Sequence, residues 1–550
     1  MTRSRLHSAI RGLALIALTG TIAIAVPASA QDHAADLPHI VTENGRHALI
    51  VDGAPFFMLG AQANNSSNYP WALPKVWPVL DALHANTLEI PVAWQQVEPV
   101  EGRFDFSWVD TLLEQARAHH KRLVLLWFGT WKNTNPNYTP AWVLTDNRRF
   151  PRMKKPDGSD SYVLSPMYDS TLQADQRAFV QLMTYLKAHD PQNTVIMVQV
   201  ENETGAYGNP RDYGAKAQKL FDGPVPADLV RKLGKRPGTW AQLFGEQADR
   251  AFNTWYTARY VDRIAAAGKA VKPLPMYVNA ALAGAFEPPK PTAVSSGGPQ
   301  WDVLDIWKAA APALDLEAPD IYDAKSTDYA AYLDHYDRAD NPLFVPETGN
   351  APKFARYFWS VLGHGAIGYS PFGMDATGYF NYPLGGGKIG PEIIEPFAGK
   401  YALIAPMDRE WAEIALHHRT WGCAKPDDGA AQSATMGGWT ITAKFGQWQF
   451  GPDDDDHKKD PPSWADQPVG GCLVAQLDPD TFLVTGDHVR LHIEASADGP
   501  KHPLMVRVEQ GHFDRGKWVM DRVWNGDQTD YGINFIDMPY LLKVTMGSYR

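Results

Sequence analysis

Val195-Ile196-Met197-Val198-Gln199-Val200 runs directly into Glu201-Asn202-Glu203-Thr204-Gly205. Apart from Gln199, the first six residues are apolar on both alternating faces, the pattern of a short strand buried on both sides in a helix-covered parallel sheet. The carboxylates that follow at once are an odd structural choice, because burying one is costly unless it is paired or used. In a (β/α)8 barrel, by contrast, the C-terminal strand ends are where catalytic groups project into a shared mouth.

The same unit repeats on either side of this strand. Residues 56–60, 87–92 and 123–128 read as three earlier strands, with helical patterns at 76–84, 108–119 and 173–188. A long helix over 247–267 follows, then strands at 274–279, 320–322, 343–346 and 366–370, and a last helical pattern over 395–418. Eight β-rich runs alternating with helices predict a (β/α)8 TIM barrel over residues 31–420. From Trp421 the texture changes. Short alternating runs at 439–444, 482–485, 488–493 and 505–509, punctuated by Gly, Asp and Pro, predict a smaller β-rich C-terminal domain over 421–550. The acidic run 453–456 reads as a solvated loop.

At the N-terminus, Arg3, Arg5 and Arg11 precede an apolar run over 13–26 that ends at Pro27 and Ala28-Ser29-Ala30. Charged start, apolar middle and small residues at the end predict a signal peptide over residues 1–30 and export, to the periplasm or outside the cell. The run is shorter than the roughly 20 apolar residues a membrane span needs, so no stable membrane anchor is expected. Gln31 stands where a lipid-anchored protein would carry Cys.

A net charge of −11 argues against nucleic acid as a partner, which asks for a basic face. The 19 Trp residues favour carbohydrate slightly, since an indole face stacks on sugar rings while its N–H stays bonded. The two cysteines, Cys423 and Cys472, have no metal-ligand spacing, and an oxidising compartment permits a disulfide between them. No G-x-S-x-G supports a serine hydrolase.

The seventh strand ends as the fourth does, in Val345-Pro346-Glu347-Thr348-Gly349-Asn350. Two strand ends thus offer a carboxylate to one mouth. Glycoside hydrolysis needs such a pair: one carboxylic acid protonates the leaving oxygen, and the other carboxylate attacks the anomeric carbon or activates water. Two carboxylates suffice, so no metal and no organic cofactor are expected. Asn202 is a candidate donor to the sugar 2-OH, and Asn279, ending the fifth strand, is a candidate hydroxyl contact. Trp94, Trp131 and Tyr207 lie just past strand ends, as sugar platforms or as plain packing.

These features resemble the clan of retaining barrel glycosidases. Trp94-Gln95-Gln96-Val97-Glu98-Pro99, Glu101-Gly102-Arg103-Phe104-Asp105-Phe106, Pro140-Ala141-Trp142-Val143 and Gln199 to Gly205 most resemble glycoside hydrolase family 35, the β-galactosidases. The resemblance implies Glu203 as acid/base, Glu347 as nucleophile, a covalent glycosyl-enzyme, and Tyr322 as hydrogen-bond donor to the nucleophile. Two stretches depart from the family: Gly129-Thr130-Trp131-Lys132-Asn133 replaces its Ala-Glu-Trp, and Gly60-Ala61-Gln62-Ala63-Asn64 replaces its His-Tyr. They mark a divergent branch. The expected partner is a carbohydrate substrate cleaved from its end as a β-galactoside. Another retaining glycosidase (arabinosidase, glucosidase or mannosidase) and a non-catalytic carbohydrate-binding protein are the alternatives. The paired glutamates speak against the latter. The sequence leaves the oligomeric state open.

Overall fold

Arg122–Phe128 shows why the strands form a barrel. Leu123, Leu125 and Trp127 join the core between strands and helices, whereas Val124, Leu126 and Phe128 join the core inside the barrel. Side chains alternate across a strand, so a run apolar at every position requires cover on both faces. The computed structural model describes residues 36–550 apart from 381, 383, 385, 449–460 and 537–538. The expected signal peptide and the acidic run 453–456 lie outside the described residues.

The described chain opens with an antiparallel sheet of β1 (His39–Glu43), β2 (Arg46–Val51) and β3 (Ala54–Phe56). The barrel strands are β4 (Met58–Gln62), β5 (Thr87–Ala93) and β6 (Arg122–Phe128), then, after a hairpin of β7 (Arg152–Lys154) and β8 (Asp160–Leu164), β9 (Val195–Val200). They continue as β10 (Met276–Ala281), β11 (Leu316–Ile321), β12 (Val345–Thr348) and β13 (Gly368–Pro371). Every neighbouring pair is parallel, and β13 pairs back onto β4, closing the barrel. Leu49, Val51 and Phe56 share the interior core with Phe344 and Ile367. The first sheet thus plugs the end opposite the mouth.

Among the barrel strands, boundaries moved most at the sixth, expected at 320–322 and found as Leu316–Ile321. Its Glu317, Pro319 and Asp320 disguise it. The long final helical pattern is two helices, Pro391–Ile404 and Asp408–His417, separated by a 3-10 turn over Ala405–Met407 that contains Pro406.

Among the described residues ten further strands follow: β14 (Arg419–Ala424), β15 (Gln432–Met436), β16 (Trp439–Phe445), β17 (Gly471–Asp478) and β18 (Thr481–Asp487), then β19 (Val489–Ala495), β20 (Pro503–Asp514), β21 (Lys517–Trp524), β22 (Ile533–Phe535) and β23 (Leu542–Ser548). They form a six-stranded sheet, β14-β17-β18-β23-β20-β21, and a four-stranded sheet, β15-β16-β19-β22. Cys472, Val474, Phe482 and Val484 meet the smaller sheet's Ile441 and Leu491 in one core, while Leu473, Ala475 and Leu483 join the core of the barrel. Strands β17 and β18 are therefore buried on both faces, between barrel and second sheet, while β20 and β21 stay largely exposed. Cys423 and Cys472 are register partners across β14 and β17, buried free thiols whose Sγ atoms share a hydrogen bond at 3.1 Å.

A buried ion pair fastens the two parts. Asp487, ending β18, accepts from Trp359 Nε1 at 2.5 Å and pairs with Lys400 Nζ and His488 Nδ1, each at 3.0 Å. Burial opposes its charge, yet the Lys400 ammonium with His488 and Trp359 holds its carboxyl well below the usual range. Asp487→Ala leaves Lys400 buried without its counter-charge, and should cost about 3–5 kcal/mol. Thermal and urea unfolding measure this loss, and a variant as stable as the parent refutes the fastening role.

Candidate active site

The fourth strand ends in strained backbone. Glu201 and Glu203 both have positive φ, 66° and 44°, followed by Gly205 at 108°. Left-handed backbone at a non-glycine residue costs about 1–2 kcal/mol and persists where the surroundings over-determine it, often at functional sites. Here Asn279 Oδ1 accepts from the Glu203 backbone N–H at 2.9 Å. Glu201 turns into the protein, where its Oε2 accepts from the Trp131 N–H at 2.7 Å. Burial and the neighbouring Asp175 carboxyl push its carboxyl well up. Asp175 in turn accepts from Trp127 Nε1 at 2.9 Å and from the Thr130 hydroxyl at 2.6 Å. Glu201 thus fastens the loop after β6, and Glu203 is the glutamate free for chemistry.

Glu203 keeps partial solvent access. Burial pushes its carboxyl up to about 7, with the Lys132 ammonium opposing, Glu347 adding to the rise, and a hydrogen bond with Asp320 opposing. A carboxyl tuned to that range holds a proton near neutral pH and can return it.

Glu347, in β12, is 5% exposed. Tyr322, just past β11, donates its hydroxyl to Glu347 Oε1 at 2.5 Å. Gln62, the last residue of β4, donates Nε2 to Oε2 at 3.0 Å. Donors on both oxygens fix the carboxylate's direction. Burial and the Glu347 charge keep the Tyr322 phenol well above its ordinary range, so it remains a donor. Between the two glutamates lies Asp320, the register partner of Glu347, whose Oδ2 accepts from Asn279 Nδ2 at 2.7 Å. Burial, then the charges of Glu347 and Glu203, raise its carboxyl well above the ordinary value.

The remaining expected residues divide. Asn202 is fully buried; its Oδ1 accepts from Lys132 Nζ at 2.9 Å, while its Nδ2 has no partner. Tyr207 is 55% exposed beside Glu203 and Asp320, as a platform at the mouth must be. Asn279 is turned to the Glu203 backbone and Asp320, holding the machinery in place.

Trp94 and Trp131 correct the reading. Trp94 is fully buried, with its Nε1 donating to Glu98 Oε2 at 2.9 Å, and Trp131 is 1% exposed, packed edge-on against Tyr260. Neither offers a face to a ligand. Glu98, four residues on, gives the Trp94 N–H a buried acceptor and so lets the ring turn inward. Conversely, Gln62, Lys132 and Asp320 had not been singled out. Each is a polar residue at or just past a strand end, the one signal available for them.

Among the described residues no group of three or more His, Cys, Asp and Glu side chains is arranged to hold a metal ion. Nor is any described helix long and apolar enough to cross a membrane.

Compared with known proteins, residues 79–271 match the model described as Beta-galactosidase (Glyco_hydro_42), and residues 397–536 match a Domain of unknown function (DUF5597). The first segment contains Glu203 and ends before Glu347. Its model is that of glycoside hydrolase family 42 rather than the family 35 that the motifs resemble. The chain is 27% identical to Beta-galactosidase 17 of Arabidopsis thaliana over 187 residues, 32% of this chain and 25% of that relative, so only a quarter of the relative's length is matched. Similar solved structures include a beta-galactosidase from Rahnella sp. R3, at 16% identity over 66% of this chain and 61% of that one, with a TM-score of 0.46. Another, from Bacillus circulans sp. alkalophilus, is at 14% identity over 66% and 57%, with a TM-score of 0.48. The segment match supports a hydrolase of glycosidic bonds.

Proposed function

We propose that the chain is an exported, retaining exo-glycosidase, a β-galactosidase closer to family 42 than to family 35. The observation that carries this reading is the pairing of Glu203, poised near neutral pH, with Glu347, held by donors on both oxygens. In the first step a Glu347 oxygen attacks the anomeric carbon as the bond to the leaving oxygen breaks, and the Glu203 proton passes to that oxygen. Water then enters, gives its proton to Glu203, and its oxygen displaces Glu347 from the sugar. The unpartnered Asn202 Nδ2 suits a 2-OH contact that strengthens as charge develops. Lys132, bonded to Asn202, holds that amide in place.

The expected result is cleavage of 4-nitrophenyl β-galactoside in preference to the β-glucoside and the α-arabinoside, with the β-anomer of galactose appearing first by proton NMR. Preference for another sugar keeps the carboxylate pair and changes the substrate. The α-anomer appearing first overturns retention, and silence across the panel counts against a glycosidase.

A further inference from the structure

Three strand-end loops meet beside the catalytic mouth and enclose a cavity of about 390 Å³. Asn64, Asn65, Ser66, Ser67 and Trp71 come from the loop after β4, Tyr138 from the loop after β6, and Thr377 and Tyr379 from the loop after β13. None of them belongs to the acid and nucleophile pair.

Asn64 is the telling residue. It is 4% exposed, yet neither its Nδ2 nor its Oδ1 has a hydrogen-bond partner. An amide buried in this way is costly unless something arrives to bond it. Its position is fixed, because its backbone N–H donates to Asp375 Oδ2 at 2.8 Å and the Ser67 hydroxyl donates to the same oxygen at 2.7 Å. Asn65 Oδ1 is also buried without a partner. Against these polar groups stand Trp71, 68% exposed, and Tyr379, 59% exposed. The Lys75 ammonium lies 3.3 Å from the Trp71 ring centroid and covers one face.

We propose that this cavity is a second sugar subsite, holding the unit on the leaving-group side of an oligosaccharide; the inference rests on the exo-glycosidase reading above. An exposed indole face fits the C–H face of a pyranose, while a planar amide with free donor and acceptor fits neighbouring hydroxyls. The side chains that line the cavity are all neutral. The subsite also adjoins the reacting centre. Asn64 lies two residues past Gln62, about 7 Å of extended chain, and Gln62 holds the nucleophile.

The test compares Trp71→Ala with the parent on β-galactosyl fluoride, whose leaving group is one atom, and on β-1,4-galactotriose; if the aryl panel selects another sugar, its fluoride and trisaccharide replace them. Trp71→Ala should lose at least tenfold more in kcat/KM on the trisaccharide than on the fluoride, and Tyr379→Ala should shift the ratio the same way. Equal losses on both substrates, or none on either, overturn the subsite. A parent that cleaves the fluoride but not the trisaccharide overturns it too, leaving the glycosidase reading intact. A parent that cleaves neither takes both readings down.

Discussion

Glu347→Ala is expected to lower turnover by at least about four orders of magnitude while leaving the fold unchanged, because removing an attacking group eliminates a step rather than weakening one. The fold should survive, since the carboxylate's partners are the side chains of Gln62 and Tyr322 rather than the backbone of the barrel. Losing the Glu347 charge also removes a contribution that keeps the Tyr322 phenol high, so that phenol should titrate at lower pH in the variant, visible in ultraviolet difference spectra. The space left beside the anomeric carbon admits a small anion. Azide should restore turnover of an activated aryl β-glycoside and yield the α-glycosyl azide, because one displacement inverts the centre that two would retain. Undiminished activity in Glu347→Ala, or a β-azide product, would overturn the assignment.

The parts of this site were unequally visible in the sequence. Glu203 and Glu347 stood out because each follows a strand whose apolar pattern marks it as buried on both faces, leaving a carboxylate where packing has no use for one. Glu317-Ala318-Pro319-Asp320 hid the sixth strand, since nothing local reveals that Lys308 lies 2.6 Å from Glu317 and permits its burial. Asp320 was concealed with it. Lys132 and Gln62 read as ordinary loop residues, for their partners, Asn202 and Glu347, are 70 and 285 positions away and meet them only when the barrel closes. Trp94 and Trp131 erred in the opposite sense. Position past a strand end says that a ring is near the mouth but not which way it turns, and that depends on where the indole N–H finds an acceptor. Periodicity reports burial well, and long-range polar pairing hardly at all.

Glu203→Gln tests the second half of the pair through pH and leaving group together. In the parent the acid must be protonated, and burial has raised its carboxyl from 4.5 to about 7, so kcat/KM should fall as pH rises through about 7. Glutamine cannot titrate, and that alkaline limb should disappear. Loss of kcat/KM should be severe for a disaccharide, whose alkoxide leaves badly, at about 10²–10⁴-fold, and slight for a dinitrophenyl glycoside, which needs no proton; kcat should fall on both, because Glu203 also takes the proton of the attacking water. Stability supplies an independent sign. A carboxyl whose folded value lies above its unfolded one contributes fully below the unfolded value and loses that contribution as pH rises through the folded one. The parent therefore carries a penalty above about pH 7 that Glu203→Gln lacks, and the variant's Tm should gain on the parent's between pH 5 and pH 8. Equal losses on both leaving groups, with the alkaline limb intact, would move the proton donor elsewhere in the mouth. Asp320 would then be the next carboxyl to replace, because burial and the charges of Glu347 and Glu203 raise its carboxyl well above the ordinary value.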